Sequence, residues 1–184
     1  MLSPKTPQSR EELQDFFENL HLMRIADMPE IELYLDQVLS LIGAELAFMN
    51  PGEGPILTGS MINNYVKQQL MPAPIKKRYT KRHLGWLVFI CCFKKVLSMG
   101  QLAAIRETLL KEEGLNIDKA YDYCLILLER SIQHKFDVEP TSELPSLEES
   151  TLSPVLGELL ETAVSLVATK IYMDYLLLFE VSGD

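Results

Sequence analysis

The sequence predicts an all-α protein, and three observations support this fold class. Apolar residues recur at helical spacing through most of the chain, and helix-start signals precede several of these segments. No alternating strand pattern extends beyond the few residues of a basic loop at 72–79. We therefore expect a multi-helix bundle with at most a small β-hairpin.

Seven helical segments are predicted in chain order. Ser9-Arg10-Glu11-Glu12 and Ser98-Met99-Gly100-Gln101 fit capping boxes, and Pro154 suits a first helical turn. The segments run from Ser9 to about Leu20, Pro29 to about Phe48, Gly59 to Gln69, Thr80 to Leu97, Ser98 to Gly114, Ile117 to Phe136 and Pro154 to about Phe179. We expect three parts: an arm and helix at 1–28, a central unit at 29–114, and C-terminal helices at 115–184.

Two of these helices have unusually broad apolar surfaces. The helix from Thr80 is apolar on most sides, which is typical of a helix in the middle of a fold. The last helix has a wide apolar face that must be covered by its own domain or by another subunit. We favour a homodimer contact over plain core.

The charges are segregated along the chain. From Gly54 to Arg106 there are nine basic residues and no acidic one, whereas the rest of the chain has 8 basic and 26 acidic residues. A net charge of −9 therefore conceals a basic module that can attract polyanions.

The helix at 59–69 has an apolar side and a polar side. Its polar residues are of the types that hydrogen-bond base edges and phosphates, although such a strip commonly just faces water. They are Ser60, Asn63, Asn64, Lys67 and Gln68. Tyr65, on the other side, would either pack against the core or reach a phosphate with its hydroxyl.

These segments carry a resemblance to known families. Asn63 to Pro72 resembles the end of the recognition helix in the mercury-resistance-regulator (MerR) class, and Lys77-Arg78-Tyr79-Thr80 resembles that class's wing. More closely, MINNYVKQQLMPAPIKKRYTKRHL, with LYLDQV at 33–38 before it, resembles the bacterial domain of unknown function 1836. The resemblance covers roughly 29–110 and implies that the central unit at 29–114 is a winged helix-turn-helix (MerR-like) DNA-binding unit.

The sequence departs from the MerR class at several positions. Gln69 stands where that class has a helix-ending Gly, Asn63 where it has an Arg, and His83 where it has an acidic residue. The turn at 50–55 is also longer than the usual turn of a helix-turn-helix.

The leading functional hypothesis is a sequence-specific, double-stranded-DNA-binding transcriptional regulator. Asn63, Asn64, Lys67 and Gln68 would face base edges, with Ser60 on the backbone or a nearby base. The expected phosphate contacts are Lys76, Lys77, Arg78, Lys81 and Arg82. The alternative is a helical interaction module whose basic face binds an acidic partner, or the acidic part of this chain itself.

Other classes of function have little support in the sequence. No Gly-rich phosphate loop, H-E-x-x-H pair or nucleophile elbow occurs, so we expect neither an enzyme nor a cofactor. Cys91, Cys92 and Cys124 lie in apolar patterns, which indicates core packing rather than a metal or disulfide site. We expect a cytoplasmic protein without a membrane span; the identity of any small-molecule effector stays open.

Overall fold

The computed structural model describes residues 9–51, 54–145 and 152–181, and this part of the chain is helical. It contains seven α-helices, two short 3-10 helices and only isolated β-bridges. The α-helices are α1 (Arg10–Glu18), α2 (Leu35–Glu45), α3 (Gly59–Lys67), α4 (Lys81–Phe93), α5 (Met99–Lys111), α6 (Ile117–Lys135) and α7 (Pro154–Val181). The predicted all-α class is confirmed, while residues 1–8 of the predicted N-terminal part and part of the turn at 50–55 lie outside the described residues.

Side-chain caps define several helix starts at the positions that the sequence indicates. Ser9 accepts a hydrogen bond from the Glu12 amide, and Thr58, rather than Ser60, accepts one from the Met61 amide. Ser98 and Gln101 form a reciprocal capping box at the start of α5. Each cap satisfies an amide that the helix itself leaves without a partner.

The second helix is shorter than predicted. Residues 29–34 are not helical, and Leu33 instead forms an antiparallel bridge with Tyr79 through two hydrogen bonds of 2.9 Å. The helical expectation for this stretch was wrong because Pro29 suits a first helical turn but does not require one. The bridge attaches the segment before α2 to the segment before α4.

Helix α3 ends in a Schellman motif. The Gln69 amide donates to the Val66 carbonyl (3.0 Å) and the Leu70 amide donates to the Tyr65 carbonyl (2.9 Å). Gln69 therefore has a φ of 56°, the left-handed conformation that favours glycine. The chain stops the helix here without the usual Gly.

A tight hairpin turn connects the segment after α3 to α4. The Arg78 amide donates to the Ile75 carbonyl (2.9 Å), and the two residues between them, Lys76 and Lys77, have φ values of 50° and 63°. Two consecutive positive φ angles are the signature of a type I′ turn, for which Asn-Gly is the favoured sequence. The hairpin, although minimal, matches the small β-hairpin predicted at 72–79.

Helix α4 lies at the centre of the molecule. All residues from His83 to Phe93 are buried, and the core around them takes side chains from all seven α-helices. Helices α6 and α7 pack against each other most extensively, and α7 also contacts α4. Buried side chains thus form one continuous core.

Helix α7 has a buried stripe and an exposed stripe. The buried stripe consists of Leu156, Leu160, Ala163, Val164, Val167, Ala168, Ile171 and Tyr175. By length and composition alone, residues 154–179 are apolar enough to cross a membrane, but the same test is passed by core helices of soluble proteins. In the structure this helix packs one face against α6.

Candidate nucleic-acid interface

The polar strip of α3 is exposed to solvent. Ser60, Asn63, Asn64, Lys67 and Gln68 all have exposed side chains, and the Gln68 amide nitrogen donates to the Asn64 Oδ1 at 3.2 Å. Ile62 and Tyr65, on the other side of α3, are buried. The amphipathic division read from the sequence is therefore present in the structure.

Tyr65 lies in the core rather than on the exposed strip. Its side chain is 3% exposed, and its hydroxyl accepts a hydrogen bond from the Lys94 ammonium at 3.4 Å. Burial raises the pKa of this phenol well above its ordinary value. Of the two roles considered for Tyr65, packing of α3 is the one that these contacts fit.

The hairpin turn presents cations to solvent. Lys76 and Lys77 are exposed, and neither makes an ion pair with another described residue. Arg78 lies 4.5 Å from the centroid of the Tyr34 ring and donates to the Tyr34 hydroxyl at 2.8 Å. Arg78 therefore stiffens the base of the hairpin while the two lysines remain free.

The first turn of α4 adds two more cations. Lys81 forms an ion pair with Glu30, whereas Arg82 is exposed and has no ion pair among the described residues. His83 is buried, and its Nδ1 accepts a hydrogen bond from the Thr80 amide at 3.0 Å. Since Nδ1 is the acceptor, Nε2 carries the proton and faces the Ala73 carbonyl at 3.3 Å. His83 thus fixes the chain between hairpin and helix.

Three of the nine basic residues between Gly54 and Arg106 contact buried groups or other helices. Lys94 reaches the Ile56 carbonyl, Lys95 pairs with Asp174 of α7 at 3.2 Å, and Arg106 lies 5.4 Å from the Trp86 ring centroid. The sequence gives no sign of this division, because a Lys that binds a buried carbonyl and a Lys that faces solvent look alike in a charge count. The remaining six basic residues are the ones predicted to contact DNA.

A cluster of carboxylates near α1 was not predicted. Four consecutive backbone amides, in the segment that includes the first 3-10 helix, each donate to a different carboxylate. The pairs are Leu22 with Glu129 (3.0 Å), Met23 with Glu45 (2.5 Å), Arg24 with Asp27 (2.9 Å) and Ile25 with Asp122 (2.9 Å). We call these four side chains the carboxylate clamp. Glu45, Asp122 and Glu129 are 22 to 107 residues away from the amides that they accept from, so no local pattern reveals these three contacts.

The pKa values of three acids of the carboxylate clamp are shifted by folding, two of them upward and one downward. Burial raises the pKa of Glu45 and of Asp122, and the amide hydrogen bonds of Met23 and Ile25 oppose that effect only in part. The Arg24 amide, followed by the His21 side chain, instead lowers the pKa of Asp27. Part of the chain's acidic excess therefore holds a backbone segment and does not neutralise the basic surface.

The three cysteines are free and buried, as expected for core residues. Burial raises the pKa of Cys91 to about 11 and that of Cys124 to about 12, and raises that of Cys92 as well. Such thiols are poor nucleophiles and poor ligands. In the described parts of the chain, no group of three or more His, Cys, Asp or Glu side chains is placed to hold a metal ion.

These features define an all-helical protein with an exposed polar helix face and an exposed lysine hairpin. The chain belongs to the family described as Domain of unknown function (DUF1836), whose model matches residues 23–124. This confirms the resemblance to the domain of unknown function 1836 that was read from the sequence. No curated protein and no solved structure matches the chain.

The matched region covers α2, α3, the hairpin, α4 and α5, together with the start of α6. It begins inside the segment that the carboxylate clamp holds and ends at Cys124. The family region thus includes every residue of the candidate interface, while α1 and α7 lie outside it.

Replacing Glu45 with Gln should stabilise the protein at pH 7. A carboxyl group whose pKa is raised by folding stabilises the fold when protonated, and this contribution is lost as the pH rises through the folded-state pKa. Gln keeps an acceptor for the Met23 amide without the charge. Urea denaturation at pH 7 and near pH 4 measures the effect, and the advantage of Gln should disappear below the ordinary pKa of 4.5.

Glu45→Ala is the matched control for this prediction. It removes the acceptor as well as the charge, so it should destabilise the protein by about 1–3 kcal/mol by leaving the Met23 amide unsatisfied. A Gln variant that loses as much stability as the Ala variant would contradict the assignment.

Proposed function

We propose that the protein is a sequence-specific DNA-binding transcriptional regulator, with the hairpin turn on the phosphate backbone and α3 in the major groove. The observation that carries this proposal is the pair of exposed lysines held at positive φ. A non-Gly residue in that conformation costs on the order of 1 kcal/mol, and such strain concentrates at functional sites. Lys-Lys at a turn that favours Asn-Gly is explained if the two charges have an anionic partner.

The order of elements supports a winged helix-turn-helix unit. Helices α2 and α3 precede the hairpin and α4 follows it, while the Leu33–Tyr79 bridge attaches the hairpin to the segment before α2. A MerR-like unit has this succession of helix, helix, wing and helix. The hairpin would be its wing, reduced here to a single bridge and a tight turn.

The residues of α3 suit the role of a recognition helix. Asn and Gln side chains can bind adenine in a bidentate manner, and Lys67 can reach a phosphate or a guanine edge. Ser60, Asn63 and Lys67 follow one another at spacings of three and four residues, so they share one exposed face.

The alternative hypothesis, a basic module that binds an acidic protein or the chain's own acidic part, has one observation in its favour. Glu30 pairs with Lys81, and Asp174 pairs with Lys95, so two of the nine basic residues between Gly54 and Arg106 have acidic partners within this chain. The hairpin lysines, however, have none among the described residues. We therefore rank DNA binding first.

The double substitution Lys76→Asn and Lys77→Gly tests the phosphate contact without disturbing the hairpin. Asn-Gly is the preferred type I′ sequence, so the fold should be unchanged or more stable, while DNA affinity falls on all sequences alike. The slope of log K against log salt should flatten by about 2, as two phosphate contacts are lost. Fluorescence anisotropy with labelled duplexes at several salt concentrations measures both quantities.

Lys111→Gln with Lys119→Gln is the matched control, since it removes the same charge from exposed positions outside the proposed interface. It should leave the slope unchanged. Equal losses in the two double variants would show that net charge, rather than the hairpin, controls binding.

Asn63→Ala should reduce discrimination among DNA sequences more than it reduces overall affinity. Loss of a bidentate base contact costs about 1–3 kcal/mol on the preferred site and little on random DNA. The preferred site is first selected from random duplexes with the unaltered protein, and both affinities are then measured for the variant. An equal loss on both kinds of DNA would argue against base recognition by this residue.

We further propose that the regulator is a homodimer joined through α7. The exposed stripe of this helix repeats at alternating spacings of four and three residues, the pattern of a coiled-coil seam. Its members are Val155, Leu159, Thr162, Leu166, Thr169, Met173 and Leu176, all exposed. The stripe extends for roughly 32 Å at 1.5 Å per residue, and two copies would cover one another along it.

Leu166→Lys should convert the dimer into a monomer, because it places a charge in the middle of the seam. Leu110→Lys is the matched control, since Leu110 is similarly exposed but lies on α5. Size-exclusion chromatography with light scattering distinguishes the two masses. A monomeric unaltered protein, or a dimer that survives the Leu166 substitution, would contradict the proposal.

A further inference from the structure

A pocket opens beside α4, between α5, α6 and α7. Its cavity volume is about 50 Å³, and its mouth is open to solvent. Three aromatic side chains contribute to its walls: Trp86 and Phe89 from α4 and Tyr121 from α6. Most of the remaining lining is aliphatic, so the pocket favours an apolar ligand.

Gly85 leaves space in the wall that α4 contributes. A Cβ atom at this position would lie 3.7 Å from the Ile25 Cδ1 and 3.8 Å from the Tyr121 ring, which is ordinary contact. Any larger side chain at position 85 would therefore extend into the pocket. Because Gly85 has no side chain, the part of the pocket beside this position of α4 stays open.

Two charged side chains also line the pocket. Arg82 comes from the first turn of α4 and Asp118 from the first turn of α6, and neither has a hydrogen bond or ion pair with a described residue. The positive end of α6 stabilises Asp118, whereas the first turn of α4 contains no acidic residue beside Arg82. Arg82 is therefore the group whose charge lacks compensation.

We propose that this pocket binds a small aromatic molecule with one anionic group. The ring system would lie among Trp86, Phe89 and Tyr121, where aromatic pairs add to the gain from apolar burial. The anion would meet the Arg82 guanidinium, whose planar donors suit a carboxylate or sulfonate. Binding of this ligand does not depend on the proposed DNA binding, although Arg82 belongs to both sites.

Trp86 is the only tryptophan of the chain, so its fluorescence reports on the pocket directly. The probe is 8-anilinonaphthalene-1-sulfonate, an aromatic anion that accepts energy from tryptophan. It should bind the unaltered full-length protein at one site per chain and quench Trp86. N-phenyl-1-naphthylamine, which has the same rings without the sulfonate, serves as the neutral comparison.

Two variants locate the probe. Gly85→Leu should abolish quenching by filling the pocket, while Gly100→Leu, the same substitution at a helical glycine with open space around it, should not. Circular dichroism verifies that both variants are folded. Retained quenching in a folded Gly85→Leu protein would overturn the proposal; if that variant does not fold, Gly85→Ala, which fits without a clash, replaces it and should weaken the binding.

A third variant tests the anionic group. Arg82→Gln should weaken the sulfonate probe about tenfold and leave the neutral probe unchanged. An equal effect on both probes, or none on either, would overturn the assignment of an anionic ligand. Loss of probe binding in Leu166→Lys instead of Gly85→Leu would place the probe on the exposed stripe of α7 and would also overturn it.

Discussion

The burial of α4 from His83 to Phe93 is the constraint on which the rest of the structure depends. A helix without a solvent-facing side must be surrounded, and here the surrounding elements come from every part of the chain. Both ends of α4 are consequently fixed. At its start, Thr80 and His83 fix the chain that leaves the hairpin, and just beyond its end, Lys94 and Lys95 contact α3 and α7. The lysine hairpin and the exposed face of α3 are thus both attached to the same rigid element.

The helical segments were predictable because apolar period and capping residues are local properties. The starts of α1, α3, α5 and α7 fall where Ser, Thr or Pro marks them, and α6 ends one residue before the predicted Phe136. Residues 29–34 were predicted incorrectly because their conformation is decided by Tyr79, 46 residues after Leu33. A contact of that range leaves no mark in the nearby sequence.

The sequence predicts which residues of the candidate interface are exposed. It does not predict which contacts the neighbouring side chains make. Polar residues on one side of an amphipathic helix must face solvent once the other side is buried, so Asn63 and Lys67 could be placed from spacing alone. The internal roles of Lys94 and Arg106, the stacking of Arg78 on Tyr34 and the space beside Gly85 depend on neighbours from distant segments. Counts of charges and apolar residues cannot supply them.

The carboxylate clamp has a consequence for the segment between α1 and α2. Amide protons outside regular helices usually exchange with deuterium quickly, yet those of Leu22, Met23, Arg24 and Ile25 each have a side-chain acceptor. Since Glu45 lies on α2 while Asp122 and Glu129 lie on α6, the amide protons of Leu22, Met23 and Ile25 become accessible only when the two helices separate from the segment, whereas that of Arg24 is held by Asp27 of the same segment. Slow isotope exchange in an apparently irregular stretch would therefore report on the opening of the core itself.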